Sequence, residues 1–171
     1  MQEALLSRRW DVVTLQQQSS NSCRYETFQP YLDELARYVR QCQPQAKVLI
    51  HQTWAYEDGS NKLRAAGYET AEAMLADIRI SYAKAAEDIQ ADGLIPSGEL
   101  MGKMALAGMT IHRDSFHASL GVGRYALGLL WCRMLTGNSV AGNPFRDFAE
   151  PIDEDTVAKI KAFVDEFPPI F

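Results

Sequence analysis

The sequence lacks the residue patterns that mark several large classes of protein. It has three cysteines, Cys23, Cys42 and Cys132, and no Cys-x-x-Cys pair, so neither a disulfide framework nor a zinc knuckle is expected. It contains no uninterrupted run of about 18 apolar residues, so we expect no membrane span. Its first residues, MQEALLSRRWD, include no apolar stretch followed by a cleavage site. We therefore expect a cytoplasmic protein, with secretion of a longer form as the alternative.

Positive charge is also scarce and scattered. The chain carries 17 Lys and Arg against 22 Asp and Glu, which gives a formal net charge of −5. Binding to nucleic-acid phosphates requires a basic face, so we expect no nucleic-acid partner. Hydrophobic residues make up 47% of the chain and charged residues 23%, as in ordinary folded domains. The 171 residues suffice for one core, and we predict a single domain over residues 1–171.

Short apolar runs alternate with helical patterns along the chain. Alternation of this kind predicts parallel strands joined by right-handed crossovers, with helices on both faces of the sheet. The predicted fold class is therefore α/β with three layers, α/β/α. The segment from Thr53 to Glu69 is predicted to be a long polar loop. The predicted strands cover Trp10–Gln16, Lys47–Gln52 and Gly93–Pro96, and the predicted helices cover Thr27–Cys42, Thr70–Ile89, Ser97 or Gly98 to Gly108, Leu120–Leu135 and a last segment capped by Asp153 or Asp155.

Several residues in these elements have ordinary structural interpretations. Cys42 and Cys132 lie in apolar helical patterns, where a buried, reduced thiol is expected. His51 follows apolar strand residues and is predicted to be a buried histidine whose polar atoms are satisfied. Three glycines share one apolar helix, and we expect them to let its backbone approach the sheet closely: Gly121, Gly123 and Gly128.

The clearest candidate for chemistry is a carboxylate three residues before an imidazole. Asp114 and His117 immediately precede an apolar helix, and on one turn both side chains can point the same way. Asp114 would then orient His117 as the general base of a nucleophilic hydrolase. In the alternative interpretation, Asp114 caps a turn and His117 begins a helix. No metal site is predicted, because His112 would add at most one ligand to this pair.

Ligands of open parallel sheets bind beyond the carboxyl ends of the strands. Three segments are expected to converge there: residues 16–22, residues 52–56 and residues 112–117. Trp54 and Tyr56 are candidates to line a substrate pocket, together with Gln52, although core packing or the anchoring of a loop is at least as favoured for the two aromatic residues.

The run DSFHASLGVGRYALGLLWCRMLTG resembles the block of the SGNH (GDSL-type) hydrolase superfamily that supplies the catalytic Asp and His. In that family a small residue, a glycine and an aromatic residue follow Asp-x-x-His, and here Ser119, Gly121 or Gly123, and Tyr125 match them. WDVVTLQQQSSNS resembles the family's third strand and the turn after it. HQTWAY and GLIPSGELM are similar to the next strand ends in a poorly characterised bacterial branch. The resemblance extends from Trp10 to about Gly142.

This resemblance implies a flavodoxin-like α/β/α fold and a serine ester hydrolase that needs no metal or organic cofactor. The implied substrates are small acyl or O-acetyl esters, including carbohydrate esters. His117 would be the general base and Asp114 its orienting carboxylate. The family's oxyanion asparagine lies in a Gly-x-Asn-Asp motif that this chain replaces by Gln-Gln-Ser-Ser-Asn, so Gln18 or Asn21 would donate instead.

The chain departs from the family at the nucleophile. The family's serine lies in a Gly-Asp-Ser or Gly-Asn-Ser turn after the first strand, near the N-terminus, and we identify no nucleophile motif of this kind in the chain. We expect the family's first two strands to be absent, which would expose a strand edge and favour a homodimer through it. A truncated or non-catalytic remnant that acts as a binding or structural module is the alternative function. The internal candidates for the nucleophile are Ser19, Ser20 and Ser22.

Overall fold

A computed structural model of the chain describes residues 2–171. They form two compact units, one that runs up to Thr53 and includes Ala76–Pro96, and one made of Trp54–Leu75 and Ser97–Phe171. The prediction of a single domain over residues 1–171 stays a prediction. In chain order the helices and strands are α1 (Gln2–Leu6), β1 (Val12–Leu15), α2 (Tyr31–Cys42), β2 (Lys47–His51), α3 (Asn61–Ala65), α4 (Ala71–Asp88), β3 (Gly93–Ile95), α5 (Ser97–Leu106), α6 (Val122–Thr136) and α7 (Glu154–Asp165).

The first unit is built on a parallel sheet with the strand order β1-β2-β3. Val13 pairs with Val48, and Ile50 pairs with Leu94. Val48, Leu49 and Ile50 are almost completely buried, which explains why β2 is apolar on both faces. Parallel neighbours require crossover connections, and here α2 follows β1 while α4 precedes β3. The predicted α/β fold class is therefore confirmed.

The strands are shorter than predicted, because β1 begins at Val12 instead of Trp10 and each strand ends one residue before its predicted end. β1 ends at Leu15 and β2 at His51, so Gln16 and Gln52 lie just beyond the strands. Among the described residues, β1 pairs with β2 alone and forms one edge of the sheet. A homodimer through this edge stays a prediction.

The start of α2 differs from the prediction by four residues. The helix begins at Tyr31, whereas Thr27 belongs to a short 3₁₀ turn. The Thr27 hydroxyl donates to the carbonyl oxygens of Asn21 and Arg24, at 2.9 Å and 2.7 Å, and does not cap the helix. The physical reason is Pro30, because a residue that precedes proline is disfavoured in the helical conformation.

The second unit is mainly helical. α5, α6 and α7 pack on one another, with Met104, Leu130 and Ile160 fully buried between them. Asp153 caps α7, as predicted, because its carboxylate accepts the backbone N–H of Thr156 at 2.8 Å. This resolves the alternative between Asp153 and Asp155.

The predicted loop over Thr53–Glu69 contains a helix that the sequence pattern did not reveal. α3 is only five residues long, too short to show helical periodicity. Its local signal is Ser60, whose hydroxyl accepts the backbone N–H of Leu63 at 3.1 Å. Leu63 is completely buried and fixes this turn in the second unit.

The glycines of the α6 region have three different environments. A Cβ atom on Gly123 would lie 2.7 Å from the carbonyl oxygen of Ile111, and one on Gly121 would lie 2.8 Å from that of Glu150. Close approach is therefore confirmed at these two positions, but the neighbours are backbone of the second unit and not the sheet. At Gly128 the prediction is wrong, because a Cβ there would meet no atom within 4 Å.

We expect Gly123→Ala to lower the free energy of unfolding by about 1–3 kcal/mol, because the added methyl group would overlap the Ile111 carbonyl. Gly128→Ala is the matched control in the same helix. The added methyl group would meet no atom within 4 Å, and alanine forms helices better than glycine does. This substitution should therefore stabilise the chain by up to about 1 kcal/mol. Urea unfolding measures both variants, and equal effects would contradict the close approach at Gly123.

Two cysteines are more exposed than predicted. Cys132 is exposed and Cys42 is half-buried, so the prediction of buried thiols is wrong. Each of these cysteines lies at the margin of the apolar face of its helix. Among the helices of residues 2–171, none is long and apolar enough to cross a membrane.

Candidate functional site

The predicted carboxylate and imidazole lie on one closed loop of the second unit. Two backbone hydrogen bonds close this loop: Ser119 donates to Ile111 at 2.7 Å, and Arg113 donates to His117 at 3.1 Å. Ser115, at the tip, has a φ of 69°, in the left-handed region that side chains other than glycine rarely adopt. The residues 113–117 are called the catalytic-candidate turn below.

Within this turn, Asp114 and His117 are joined by two hydrogen bonds. His117 Nδ1 lies 2.8 Å from Asp114 Oδ2, and the His117 backbone N–H donates to Asp114 Oδ1 at 2.9 Å. The same carboxylate therefore orients the imidazole and caps the turn, so both interpretations of Asp114 apply. His117 does not begin a helix, because α6 starts only at Val122.

The electrostatics of the pair suit a general base. The hydrogen bond from the His117 side chain, helped by the His117 backbone N–H, lowers the pKa of Asp114 to about 2. The carboxylate is therefore ionised at neutral pH and accepts the Nδ1 proton, which leaves the lone pair of neutral His117 on Nε2. Arg113 Nε lies 3.5 Å from the same carboxylate. Both side chains are about half exposed, so a substrate can reach the imidazole.

The segment after β2 holds the catalytic-candidate turn in place. The indole N–H of Trp54 donates to the Phe116 carbonyl at 2.8 Å, and the Glu57 backbone N–H donates to the Ser115 carbonyl at 2.8 Å. Tyr56 is almost completely buried, and its ring meets the Phe116 ring edge-on at 5.9 Å. Trp54 and Tyr56 thus anchor the turn. Their role in lining a substrate pocket stays a prediction.

His112 also belongs to this support. Its Nε2 lies 3.1 Å from the Ala55 carbonyl oxygen, so the neutral ring donates there. Burial lowers the pKa of His112 below its ordinary value, partly opposed by the Ala55 hydrogen bond and by Glu57 and Asp114. Among residues 2–171 no group of three or more His, Cys, Asp or Glu side chains lies close enough to hold a metal ion.

An aromatic and cationic cluster beside His117 was not predicted from the sequence. The rings of Phe116 and His117 are 3.8 Å apart between centroids. Lys62 Nζ lies 4.0 Å from the Phe116 centroid and 5.2 Å from the Tyr56 centroid. Lys62 lies on α3, the helix that was missed, which is why the sequence pattern gave no reason to select it.

A cavity of about 340 Å³ lies in the second unit next to this segment. Ala55, Tyr56, Glu57 and His112 form one side of it, and α5 contributes Met101. Its size is at the lower end of the range for small-molecule pockets.

The candidate nucleophiles lie in the first unit, on the loop after β1. The Ser20 hydroxyl donates to Gln18 Oε1 at 2.8 Å and is exposed. The Ser22 hydroxyl is completely buried and donates to the Ser19 carbonyl at 2.8 Å. The nucleophilic role of Ser19, Ser20 or Ser22 stays a prediction.

The predicted oxyanion and pocket amides lie in the same unit. Asn21 Oδ1 accepts from Arg24 at 3.0 Å, and Asn21 lines a cavity of about 330 Å³ with Gln16, Gln17 and Tyr82. Gln52 is 3% exposed, and its backbone N–H donates to the Ile95 carbonyl at 3.0 Å. The roles of Gln18, Asn21 and Gln52 toward a substrate also stay predictions.

The prediction that the chain has no motif of the nucleophile type is wrong as far as the residues go, because Gly137-Asn138-Ser139 matches one. This tripeptide follows the C-terminus of α6, whereas the catalytic-candidate turn precedes the N-terminus of that helix. Fifteen helical residues span about 22 Å, so Ser139 lies too far from His117 to exchange a proton with it. Its hydroxyl donates instead to Asp165 at 2.6 Å.

Comparison with known proteins gives a family and a fold. The model of the DUF4886 family, described as a domain of unknown function, matches residues 1–165. The crystal structure of a DUF4886 family protein from Bacteroides uniformis is similar with a TM-score of 0.88 and 28% identity, over 96% of this chain and 64% of that chain. No curated protein matches the sequence.

A second solved structure extends the comparison to another group of proteins. It is a protein from Slackia heliotrinireducens described as a candidate SGNH hydrolase, with a TM-score of 0.55 and 24% identity. The similarity covers 69% of this chain and 62% of that chain, and at this identity it shows a shared fold. The chain spans less than two thirds of the length of either solved protein.

Proposed function

This chain belongs to the DUF4886 family, and we propose that it acts as a serine ester hydrolase of the SGNH type. The observation that carries the proposal is the 2.8 Å hydrogen bond between His117 Nδ1 and the ionised Asp114 carboxylate. The shared fold with a candidate SGNH hydrolase supports the same superfamily. Acyl or O-acetyl esters, including those of carbohydrates, are the proposed substrates.

In the proposed reaction, His117 Nε2 accepts the proton of a serine hydroxyl while the serine oxygen attacks the ester carbonyl carbon. Asp114 stabilises the imidazolium that forms. The imidazolium then gives its proton to the leaving alcohol, which departs as the acyl-serine forms. Water repeats the same steps, and His117 again accepts and returns the proton. Amide donors of Gln18 or Asn21 are proposed to stabilise the negative oxygen of each tetrahedral intermediate.

Labelling with a fluorophosphonate, followed by peptide mapping, tests this proposal. We expect one serine to be labelled in the wild type and the label to be lost in His117→Ala. Ser139→Ala is the matched control and should label like the wild type, because Ser139 lies at the far end of α6. Mapping decides among Ser19, Ser20 and Ser22.

Two results would contradict the proposal. One is a folded wild-type chain that takes up no label, which would favour the binding-module alternative. The other is labelling that persists unchanged in His117→Ala, because the labelled serine would then not depend on the proposed base.

A further inference from the structure

Lys62 is held over aromatic rings next to the proposed base. Its ammonium nitrogen is 4.0 Å from the Phe116 centroid, and the Phe116 centroid is 3.8 Å from that of His117. The ammonium and the imidazole are therefore separated by no more than the sum of these two distances. A small molecule with an ester at His117 and a second group at Lys62 would therefore have to pass around the edge of the Phe116 ring, which both groups contact.

The charge of Lys62 has no anionic partner among residues 2–171. No carboxylate of these residues lies within ion-pair distance of its ammonium, and none of its three donors forms a hydrogen bond to another described residue. Ring faces attract a cation without neutralising it. Three of the other lysines have carboxylate partners, Lys47 with Asp92, Lys84 with Asp88, and Lys103 with Glu166, and Lys161 donates to the carbonyl oxygens of Ala141 and Asn143.

The second cation near His117 is already neutralised. Arg113 lies 3.5 Å from the Asp114 carboxylate, and that carboxylate is bound by His117. Lys62 thus remains the uncompensated positive charge of the cluster formed by Tyr56, Phe116, His117 and Lys62. It is half-buried, so its attraction for an anion is less screened than that of a fully exposed lysine.

We propose that Lys62 is a specificity-determining residue that selects esters carrying a carboxylate or another anionic group a few atoms from the ester carbonyl. This rests on the proposed hydrolase function, because it places the reacting carbonyl at His117. The chemical class is an anionic ester, such as the half-ester of a dicarboxylic acid or an ester of an acidic sugar.

Monomethyl succinate and dimethyl succinate are matched probes for this proposal, because they share one skeleton and differ in a single negative charge. Binding is followed by NMR through the side-chain signals of His117, which requires no turnover. We expect the monoanion to bind the wild type about three- to tenfold more tightly than the neutral diester. In Lys62→Met, which keeps the apolar stem over the ring, this preference should disappear.

Lys62→Arg is the conservative control and should keep the preference for the monoanion. Binding of the diester should be the same in all three proteins. Equal binding of both probes to the wild type, no binding of the monoanion up to its solubility limit, or an unchanged preference in Lys62→Met would each overturn the proposal.

These outcomes are distinct from failure of the hydrolase proposal. If the chain takes up no fluorophosphonate but shows the Lys62-dependent preference, the anion site is supported and the hydrolase proposal is contradicted. If labelling depends on His117 but the preference for the monoanion is absent, the hydrolase proposal is supported and the proposed role of Lys62 is contradicted.

Discussion

Asp114→Asn is expected to lower the rates of fluorophosphonate labelling and of ester hydrolysis roughly 10²–10⁴-fold. In the wild type, the carboxylate accepts the Nδ1 proton of His117, so the basic lone pair is on Nε2. An asparagine amide can donate to Nδ1 instead, which moves the ring proton to Nε2 and removes the base. Asparagine is similar to aspartate in size and shape, so the fold should survive this substitution.

The loss should hold across the whole ordinary assay range. The pKa of Asp114 is about 2, compared with an ordinary value of 3.8, because His117 donates to the charged carboxylate. The stabilisation that this bond gives is complete above pH 3.8 and is lost as the pH falls through about 2. Asp147→Asn removes an exposed carboxylate from the same unit and serves as control. A rate for Asp114→Asn within threefold of that control would rule out the proposed pair.

The sequence predicted those features that depend on local pattern. The parallel sheet follows from runs such as KVLIH, which are apolar on both faces because β2 is buried on both sides. The Asp114–His117 contact follows from a spacing of three residues, which one turn can close. The cap of α7 follows from Asp153 in the same way. The last two features join groups that are neighbours in the chain, and the sheet was predicted from the apolar composition of short segments.

Residues 52–56 and 112–117 were expected to lie near one another, but the particular contacts that support the candidate site could not be predicted, because they join distant segments. Trp54 bonds to the Phe116 carbonyl, and Lys62 reaches the Phe116 ring, across more than fifty residues of sequence. Neither contact leaves a periodic pattern. The left-handed conformation of Ser115 is likewise imposed by its surroundings, since serine itself does not favour it. The predicted start of α2 was wrong because the prediction followed the helical pattern of apolar residues and did not take account of the effect of Pro30 on the residues before it.

The first unit contains a histidine whose burial should make the chain sensitive to acid. His51 is the last residue of β2 and is half-buried, so the prediction that it is buried is only partly confirmed. Burial penalises the charged imidazolium and lowers the pKa of His51 from 6.5 to about 4. Between these two values the unfolded chain binds a proton that the folded chain does not. The stabilising effect is therefore complete above pH 6.5 and is lost as the pH falls toward 4.

We expect the free energy of unfolding to fall by roughly 2–3 kcal/mol more in the wild type than in His51→Gln when the pH is lowered from 6.5 to 4. Glutamine keeps a polar side chain at the end of β2 but does not titrate, so it removes this proton uptake and leaves the strand intact. Urea unfolding of both proteins at the two pH values measures the difference. His112→Gln is the companion variant, and its effect should have the same sign, because burial also lowers the pKa of His112. If His51→Gln loses as much stability as the wild type over this range, the burial of His51 does not control the acid response, and another group of the chain takes up the proton.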